Sequence, residues 1–465
     1  MILDPKIFRA YDIRGVAFQD FDEDGFFIIA QSFCTFLTQK TCNAHPRIFV
    51  SGDGRLSMGE LYPAVIAGLE AGGAEVTWGG ILPTPVNYFA LHEGNFDATL
   101  QITASHNPAE YNGLKLTDRN GAVCGEQIQE IRKISECTEC HPTKSFGECA
   151  ENCQLVSFGE QYEQKIFDIT GSQKAKHIVV DAGNGVAGIL YPEILEKLGH
   201  RVERLYCDLD PTFPHHQPDP ERPENLHDLV QEVQSQQADF GLAFDGDGDR
   251  VGMVLSDGTV LNADKILFVL AADFLSRHPE TPIVIDAMTS ATLVEKIKSL
   301  GGDPVFSVTG HSYIETKMKE VGAKLGGEQS GHFMLGENFY GHDDALLAAL
   351  RFLSAIEKSP QLLLEVSERW PKLLEYSEKI SVPDEKKFEI IENVKTRLTA
   401  SLQENKNIKL STLDGIRLDF GNGEWGIIRC SNTSPCIAVR IEAKDQKSLD
   451  EKKTILLDAL HAAEA

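Results

Sequence analysis

The sequence predicts an α/β protein with three similar mixed α/β domains and a fourth, α+β domain at the C-terminal end. Its 465 residues exceed one ordinary domain and correspond to about three or four. One pattern also occurs three times: a short apolar run ends in a turn and is followed by an amphipathic stretch long enough for a helix. The apolar runs are Arg47–Asp53, His177–Gly183 and Pro282–Ala287, and the amphipathic stretches are Met58–Leu69, Val186–Leu198 and Ala291–Leu300. This alternation is typical of parallel strands joined by helices.

The C-terminal region departs from that pattern. It contains a charged helical stretch around Glu385–Gln403, short strands around Ile408–Phe420 and Trp425–Arg429, and a closing helix after Asp445. These features indicate an α+β domain, and polar segments with glycine or proline mark the seams before it. We therefore expect domains at residues 1–150, 151–256, 257–368 and 369–465.

The acidic composition excludes several classes of partner. The chain has 44 Lys and Arg residues against 70 Asp and Glu residues, a formal net charge of −26, so its surface repels nucleic acids and anionic membranes. No apolar run approaches the roughly 18 residues of a membrane-spanning helix, and the first residues do not resemble an export signal. We expect a cytoplasmic protein that would bind a phosphate ligand only in a local basic pocket.

Ten cysteines in such a chain are interpreted as thiols rather than as a disulfide framework. Cys137, Cys140, Cys149 and Cys153 nevertheless have a spacing that a structural zinc site could use. Cys140 followed by His141 also completes a c-type haem attachment motif, but haem attachment requires export. Ordinary thiols are the favoured interpretation, and zinc remains open.

Three carboxylates alternate with glycines at Asp245, Asp247 and Asp249, directly after the strand-like run Asp239–Phe244. Carboxylates at this spacing can curl round one hard cation, and the glycines permit the tight turn. An EF-hand calcium loop is excluded because Arg250 and Ser256 occupy the positions at which that loop needs glycine and glutamate. A solvated acidic turn is the alternative, but three clustered carboxylates without a cation would repel each other.

The segment Thr103–Pro108 places the hydroxyl of Ser105 beside the imidazole of His106 in a turn that ends at proline. No Gly-x-Ser-x-Gly motif surrounds the serine, so a hydrolase triad is poorly supported. Taken alone, the segment reads as a turn.

Two further polar loops contain groups that suit a sugar phosphate. Gly327–His332 offers a carboxylate, a hydroxyl and an imidazole between glycines, which suits hydrogen bonding to a polyol. Arg429–Pro435 combines a guanidinium, hydroxyls and an amide, which suits a phosphate dianion. Each could equally be a polar surface turn.

In this order, the four segments resemble the signature loops of the α-D-phosphohexomutase superfamily. Other stretches fall where that family has them: Ile7–Gly15, Pro83–Pro85, Tyr111–Lys115 and Thr309–Ser312. The resemblance therefore covers nearly the whole chain. It implies four domains around a central cleft, which supply a phosphoserine loop, a metal loop, a sugar loop and a phosphate loop.

The resemblance also implies a role for each loop. One Mg²⁺ per chain would be bound by Ser105, Asp245, Asp247 and Asp249. The catalytic residues would be Ser105, Lys115, Arg250 and His332, with Lys115 and Arg250 steadying the phosphoserine and Lys115 and His332 as candidates for general acid and base. The substrate-binding residues would be Tyr11, Arg14, His311, Glu328, Ser330, Arg429, Ser431, Asn432 and Thr433.

The implied reaction moves a phosphoryl group between the two ends of a hexose phosphate. Phosphorylated Ser105 gives its group to the hexose monophosphate, the bisphosphate turns over, and the other phosphate returns to Ser105. Hexose 1,6-bisphosphate is the implied activator, and the chain is expected to be a monomer or a dimer.

Individual positions bear on the choice of sugar. Tyr11–Gly15 and Ser431–Thr433 resemble the bacterial phosphomannomutase/phosphoglucomutase branch, whereas Gln329 is more typical of phosphoglucosamine mutases. The wider match favours mannose and glucose, with a phosphoglucosamine mutase as the alternative and an inactive sugar-phosphate sensor as an alternative of another class. Met288 and Glu315 each stand where the branch usually has lysine, so affinity or sugar choice is expected to differ from that of relatives.

Overall fold

The chain forms two compact units in a computed structural model that describes residues 3–142, 144–383, 386–402, 408–432 and 436–464. The first unit contains the residues up to Asn262 together with Ser330–Glu357. The second contains Ala263–Gln329 and the residues from Lys358 onward. Among the described helices, none is both long enough and apolar enough to cross a membrane.

The first unit begins with a seven-stranded mixed sheet. Its strands are β1 (Ile13–Val16), β2 (Arg47–Gly52), β3 (Glu75–Ile81), β4 (Ala98–Ile102), β5 (Tyr111–Asp118), β6 (Gly121–Ala122) and β7 (Gln154–Leu155). They lie in the order β1-β5-β4-β2-β3-β7, and β6 pairs with β5. A 3₁₀ turn (Pro5–Ile7) precedes the sheet, and its helices are α1 (Glu23–Thr41), α2 (Met58–Ala71), α3 (Thr84–Glu93), α4 (Glu126–Ser135) and α5 (Phe146–Asn152). The predicted strand at Arg47–Asp53 and helix at Met58–Leu69 thus form β2 and α2.

The apolar run in β2 explains the central place of this strand. Ile48, Phe49 and Val50 are all fully buried, which is the pattern of a parallel strand covered by helices on both faces. β2 runs parallel to β4, and Gly52 is the register partner of Ile102. Because parallel strands end at the same edge of a sheet, the loops that follow β2 and β4 lie side by side.

A second mixed sheet also belongs to the first unit. It follows α6 (Gly159–Thr170) and contains β8 (His177–Asp181), β9 (Arg201–Leu205), β10 (Phe240–Phe244), β11 (Val251–Leu255) and β12 (Val260–Leu261). The order is β12-β11-β10-β8-β9, with β8 parallel to β9 and β10 and antiparallel pairing of β10 with β11. The remaining elements are α7 (Tyr191–Lys197), α8 (His227–Ser235) and 3₁₀ turns at Val186–Ile189 and Pro223–Leu226. The predicted acidic loop at residues 245–250 is therefore the connection between β10 and β11.

The helix predicted over Val186–Leu198 is divided in the structure. A 3₁₀ turn occupies Val186–Ile189 and α7 begins at Tyr191. Pro192 lies in the first turn of α7, where its missing N–H is tolerated, whereas it would break a helix that continued through it.

The second unit begins with parallel α/β structure. Its elements are α9 (Ala263–Arg277), β13 (Pro282–Asp286), α10 (Ala291–Ser299), β14 (Asp303–Ser307), α11 (His311–Val321) and β15 (Leu325–Gly327). β13 pairs in parallel with both β14 and β15. The side chain of Ser290 caps α10 by accepting a hydrogen bond from the Leu293 N–H. The predicted strand at Pro282–Ala287 and helix at Ala291–Leu300 thus form β13 and α10.

The chain then returns to the first unit through β16 (Phe333–Leu335) and α12 (Ala345–Lys358). Asp344 fixes the start of α12, because its Oδ1 accepts a hydrogen bond from the Leu347 N–H at 2.8 Å. The Tyr162 hydroxyl, on α6, donates to both carboxylate oxygens at 3.0 Å. Burial raises the pKa of Asp344 to about 7, although these hydrogen bonds oppose the shift.

Asp344→Asn is expected to flatten the pH dependence of stability. Between about pH 4 and 7 an unfolded Asp344 ionises while the folded one keeps its proton, so the wild-type protein loses stability as the pH rises through that window, by on the order of 4 kcal/mol at most. The asparagine oxygen can still accept from the Leu347 N–H and the Tyr162 hydroxyl at the position of Oδ1, and the amide does not titrate. Thermal midpoints of both proteins from pH 4.5 to 7.5 test this. The thermal midpoint of the variant should rise relative to that of the wild type as the pH rises. Parallel curves would contradict the prediction.

The C-terminal part of the second unit is antiparallel. After α13 (Gln361–Ser367) come β17 (Leu374–Ser381), α14 (Lys387–Leu402), β18 (Lys409–Ser411), β19 (Ile416–Gly421), β20 (Glu424–Cys430), β21 (Cys436–Ala443) and α15 (Gln446–Glu464). The strand order is β17-β21-β20-β19-β18, with antiparallel pairs throughout. The short strands predicted around Ile408–Phe420 are β18 and β19. Gly415, whose φ of +71° suits a turn, lies between them. The predicted fold class is confirmed.

The four clustered cysteines do not converge. Cys140 Sγ donates to Asp24 Oδ1 at 3.3 Å, Cys153 Sγ donates to the Val76 carbonyl at 3.5 Å, and Cys149 is buried in the core. In the part of the chain that the structure describes, no group of three metal-ligand side chains includes a cysteine. The thiol interpretation is therefore favoured over zinc.

Candidate active site

Ser105 lies in the loop that follows β4. The side chain is 1% exposed, and the residue has a φ of 49°, a left-handed conformation that serine rarely adopts. Its Oγ donates to Asp245 Oδ2 at 2.8 Å and lies 3.2 Å from His106 Nδ1. The hydroxyl therefore points at the acidic loop, although 140 residues separate the two positions in sequence.

The acidic loop holds Asp245, Asp247 and Asp249 at full burial. One carboxylate oxygen of each lies within 4.8 Å of the other two. Asp245 Oδ1 accepts hydrogen bonds from the Asp249 and Arg250 N–H groups, each at 3.1 Å. These main-chain contacts curl the loop so that the three carboxylates face one point.

Two neighbouring side chains hold the loop in place. The Thr84 hydroxyl donates to Asp247 Oδ2 at 2.7 Å, and the Thr84 N–H donates to the Asp247 carbonyl at 2.8 Å. The Tyr191 hydroxyl donates to the Gly248 carbonyl at 2.7 Å. The loop is thus braced at its second aspartate and at the glycine that follows.

Two predicted cations border the carboxylates. Lys115 Nζ donates to Asp247 Oδ2 at 2.7 Å and also to Asp249. Burial favours the neutral amine, but Asp247 and Asp249 outweigh it and hold the pKa of Lys115 well above its usual range. Arg250 Nε lies 3.8 Å from Asp245 Oδ2. Both cations therefore offset charge in the acidic loop.

The pKa values of Asp245 and Asp249 are shifted in opposite directions because the neighbours of the two carboxyl groups differ. Burial, with the charges of Asp249 and Asp247, raises the pKa of Asp245 well above its usual range. Burial also opposes ionisation of Asp249, but Lys115 and His332 outweigh it and hold the pKa of that carboxyl well below its usual range. The cluster carries more negative charge than its buried surroundings favour, so one added cation would stabilise it.

Two further observations indicate that the acidic loop is suited to hold a metal ion. Asp247 Oδ1 is buried, and no donor among the described residues reaches it. The set of oxygen ligands, three carboxylates beside one hydroxyl, is the kind that hard divalent cations prefer. The buried oxygen would gain a partner in a bound cation.

His332 belongs to the same cluster. A backbone bridge pairs it with Arg250, and its Nε2 lies 3.3 Å from Asp249 Oδ1 and 3.4 Å from Arg250 Nε. The Ser330 hydroxyl lies 2.9 Å from His332 Nδ1. The structure thus brings both residues to the acidic loop of the first unit.

Arg14 reaches the Ser105 loop from β1. Its Nη1 donates to Asn107 Oδ1 at 2.9 Å, and its Nη2 pairs with Asp12. The buried Nε has no acceptor among the described residues. Tyr11 lies three residues before it and is half-buried.

In the second unit, Glu328 and His311 are buried at the ends of different elements. Glu328 directly follows β15 and is 7% exposed, and His311 begins α11 and is 4% exposed. Asp286 ends β13, and its Oδ2 accepts a hydrogen bond from the Gln329 N–H at 3.3 Å. Burial and the neighbouring charge of Glu328 raise the pKa of Asp286 to about 7.

The described residues of the predicted phosphate loop, Arg429 to Asn432, are held by contacts within the same unit. Arg429 Nε donates to Asp414 Oδ2 at 2.8 Å, and that oxygen also accepts from the Thr309 N–H at 3.0 Å. Asn432 Nδ2 donates to the Thr309 carbonyl at 2.8 Å. Arg429 Nη2 is buried, and none of the described residues accepts a hydrogen bond from it.

Ser431 is held through its main chain. Its N–H donates to the Cys436 carbonyl at 2.9 Å, and its carbonyl accepts a hydrogen bond from Lys387 Nζ at 2.9 Å. Thr433, the last residue of this loop that is predicted to bind the substrate, lies outside the described residues.

Four family models match the chain. They describe the phosphoglucomutase/phosphomannomutase alpha/beta/alpha domain I over residues 5–140, domain II over 157–258, domain III over 262–373 and the C-terminal domain over 379–458. The chain belongs to the phosphoglucomutase/phosphomannomutase family. The predicted resemblance is thereby confirmed.

Individual relatives of this family match the chain over nearly their full length. The phosphomannomutase/phosphoglucomutase of Pseudomonas aeruginosa is 38% identical over 464 residues, which is 100% of this chain and 97% of that protein. The phosphoglucomutase of Neisseria gonorrhoeae is 34% identical over 446 residues, 96% of this chain and 94% of that protein. The crystal structure of a family protein from Burkholderia thailandensis matches with a TM-score of 0.87 at 33% identity and covers 99% of this chain and 98% of that one.

Met288 and Glu315, the two positions at which the resemblance led us to expect lysine, have defined surroundings. Met288 is half-buried against Ala287 and Trp425, and its carbonyl accepts a hydrogen bond from Arg440 Nη1 at 3.0 Å. Glu315 is 6% exposed on α11. A cation, Arg440, thus lies beside Met288, and the effect of both substitutions on sugar choice stays a prediction.

Sequence reasoning missed two residues that hold the Ser105 loop, Arg55 and Gln217. Arg55 donates to the Ser105 carbonyl, and Gln217 donates to the His106 carbonyl. One signal was available for Arg55: it is a charged residue just after a buried parallel strand, where chemistry in α/β proteins is concentrated. No local pattern marks Gln217, because its partner is 111 residues away.

Proposed function

We propose that this family member interconverts hexose 1-phosphates and hexose 6-phosphates, with mannose and glucose as the sugars, through a phosphoserine at Ser105. One observation carries the proposal: the buried Ser105 hydroxyl is hydrogen-bonded to the first of three convergent carboxylates, which Lys115 partly neutralises. The relatives named above support the same two sugars. They do not favour a phosphoglucosamine mutase or an inactive sensor.

We infer that Asp245, Asp247 and Asp249, with an oxygen on Ser105, bind one Mg²⁺. When bound, this ion offsets negative charge on the phosphoryl group during transfer. Lys115 and Arg250 border the same carboxylates and are suited to stabilise the phosphoserine in the same way. The burial of Ser105 keeps water away from the phosphoserine that would form there.

The proposed reaction consists of two transfers of opposite direction. In the first, a hydroxyl oxygen of the hexose monophosphate bonds to phosphorus, the bond from phosphorus to Ser105 Oγ breaks, and the hydroxyl gives up its proton. In the second, Ser105 Oγ takes the other phosphoryl group from the hexose bisphosphate, and the sugar oxygen regains a proton. Lys115 and His332 are our candidates for carrying these protons, because both lie at the acidic loop beside Ser105.

The remaining predicted residues are proposed to hold the sugar phosphate. The buried Nη2 of Arg429 is suited to an oxygen of the non-reacting phosphate, together with Ser431, Asn432 and Thr433. Tyr11, Arg14, His311, Glu328 and Ser330 are assigned to the sugar and its phosphates. Hexose 1,6-bisphosphate would act as activator, because it can supply the phosphoryl group that Ser105 needs before the first turnover.

The test is conversion of mannose 1-phosphate, glucose 1-phosphate and glucosamine 1-phosphate into their 6-phosphates, with Mg²⁺ and trace glucose 1,6-bisphosphate. We expect turnover of the first two sugars and much weaker turnover of the third. Preference for glucosamine 1-phosphate would mean that Gln329 is the better guide to specificity. Release of inorganic phosphate without isomerisation, or no turnover of any sugar, would overturn the mutase proposal.

A further inference from the structure

The loop that carries Ser105 has an unusual need for hydrogen-bond partners. It leaves β4, is buried at Ser105 and follows no regular ladder, so its main-chain carbonyls must accept hydrogen bonds from donors elsewhere in the protein. The Asn107 N–H donates to the Ala104 carbonyl at 3.0 Å, which closes the turn. The carbonyls from Ser105 to Pro108 are bound by side chains from outside the loop.

Arg55 binds most of these carbonyls. Its Nη2 donates to the carbonyls of Ser105 at 2.6 Å and Asn107 at 2.8 Å. Its Nη1 donates to the carbonyls of Pro108 at 2.7 Å and Tyr111 at 3.0 Å. The residue is 2% exposed. A guanidinium is suited to this task because its donors point in fixed directions in one plane, which a lysine cannot reproduce.

The fifth N–H of this guanidinium extends the network to the main chain of Ser105. Arg55 Nε donates to Asp53 Oδ2 at 3.0 Å, and the Thr103 hydroxyl donates to the same oxygen at 2.7 Å. The Thr103 oxygen in turn accepts the Ser105 N–H at 2.8 Å. Both the N–H and the carbonyl of Ser105 are thereby tied to the end of β2.

Gln217 supplies the remaining contact. Its Nε2 donates to the His106 carbonyl at 2.7 Å, the position between the two carbonyls that share Nη2 of Arg55. The segment that carries Gln217 also meets Arg55 directly, because the Phe213 ring lies 5.3 Å from the guanidinium carbon. Every carbonyl from Ser105 to Pro108 thus accepts a hydrogen bond from one of two side chains that lie far away in sequence.

These contacts explain how Ser105 keeps its left-handed backbone conformation, φ 49°. Such a conformation persists in a non-glycine residue when the surroundings determine it more strongly than local preference does. It is also the conformation in which Oγ reaches Asp245 Oδ2. Release of the carbonyls would let the serine relax and turn its hydroxyl away from the acidic loop.

We propose that Arg55 and Gln217 are positioning residues for phosphoryl transfer: they lock the carbonyls of the Ser105 loop and so aim the Ser105 oxygen at the metal loop. The inference rests on the proposed function, because it assumes that Ser105 carries the phosphoryl group. Neither side chain touches the reacting atoms. Their effect should therefore fall on kcat and on phosphorylation of Ser105 rather than on sugar binding.

The variants Arg55→Ala, Arg55→Lys and Gln217→Met test the proposal in the full-length chain with saturating Mg²⁺ and glucose 1,6-bisphosphate. A displacement of about 1 Å at a reacting group lowers rates by roughly 100-fold, so we expect that loss in kcat for both Arg55 variants and about 10-fold for Gln217→Met. KM for glucose 1-phosphate should stay within about threefold of wild type. Intact-mass spectrometry should show slower phosphorylation of Ser105 by the bisphosphate.

Guanidinium rescue separates positioning from a general loss of stability. Added guanidinium chloride at millimolar concentration should restore part of kcat in Arg55→Ala and leave wild type and Arg55→Lys unchanged. The matched controls are Gln173→Met, which removes a side-chain donor to the Leu350 carbonyl at 3.1 Å, and Arg47→Met, which removes a cation from the start of β2. Both should keep wild-type kcat. If neither Arg55 variant folds, Gln217→Met alone decides.

Each outcome bears on one proposal. Wild-type kcat and phosphorylation in Gln217→Met and in the folded Arg55 variants would overturn the positioning role, as would an equal loss in Gln173→Met. A loss that follows only the folded fraction, without rescue, would also overturn it. Ser105→Ala in the same assay separates the two proposals: if that variant still turns over, the phosphoserine proposal has failed. If it is inactive while the Arg55 and Gln217 variants are normal, only the positioning proposal has failed.

Discussion

Ser105→Ala is expected to lower kcat for glucose 1-phosphate and mannose 1-phosphate by roughly 1,000-fold or more. The proposed reaction has no other carrier for the phosphoryl group, so the substitution removes the intermediate itself. The Ser105 oxygen also contacts Asp245 Oδ2, and alanine leaves that carboxyl without this partner. Affinity for the hexose phosphate should change little, because the residues assigned to bind it are untouched.

The measurement combines steady-state kinetics, intact-mass spectrometry and calorimetric binding of glucose 6-phosphate. The variant should take up no phosphate from glucose 1,6-bisphosphate while it still binds the monophosphate. Ser32→Ala is a matched control, since Ser32 is also fully buried and its hydroxyl donates to the Ile28 carbonyl. The control should be phosphorylated and turn over normally. A Ser105→Ala protein with a tenth or more of wild-type kcat would contradict the phosphoserine mechanism.

The parts of the fold that were predictable are those with strong local patterns. β2, β8 and β13 are buried from their second residue onward and end at aspartate or glycine, and such largely apolar runs can be recognised from the sequence alone. The division of the helix predicted over Val186–Leu198 was missed because Pro192 is compatible both with a single helix start and with a break. The pairing of strands was also beyond local reasoning, because it depends on contacts between distant residues.

The site shows the same limit. Asp245, Asp247 and Asp249 could be predicted from local sequence alone. Three carboxylates in one turn would repel each other, and their spacing lets them surround one cation. Arg55 and Gln217 contact residues 50 or more positions away, and periodicity carries no information at that range. Asp414 and Asp286 were missed for the same reason. Asp414 accepts a hydrogen bond from Arg429, and Asp286 accepts one from the Gln329 N–H next to Glu328, each from a separate strand or turn.

Asp247→Asn should strongly change the dependence of activity on Mg²⁺, and this is the second large effect that we expect. Asp247 Oδ2 already accepts hydrogen bonds from Lys115 and Thr84, whereas its buried Oδ1 has no donor among the described residues. An asparagine oriented with its oxygen toward Lys115 and Thr84 keeps those contacts, but it presents an amide group, without charge, where the metal would bind. Removal of one carboxylate ligand from a site of three weakens binding of a hard cation strongly.

We expect the Mg²⁺ concentration for half-maximal activity to rise by roughly 100-fold in Asp247→Asn, with little change in the thermal midpoint of the metal-free protein. Titration calorimetry of Mg²⁺, or of Mn²⁺ followed by electron paramagnetic resonance, measures the loss without reference to turnover. Asp257→Asn serves as the control, because Asp257 is an exposed turn residue whose carboxylate accepts only the Thr259 N–H among its described contacts. An unchanged metal affinity in Asp247→Asn would mean that the buried oxygen serves packing of the loop. It would contradict the assignment of the metal site to the Asp245–Asp249 turn.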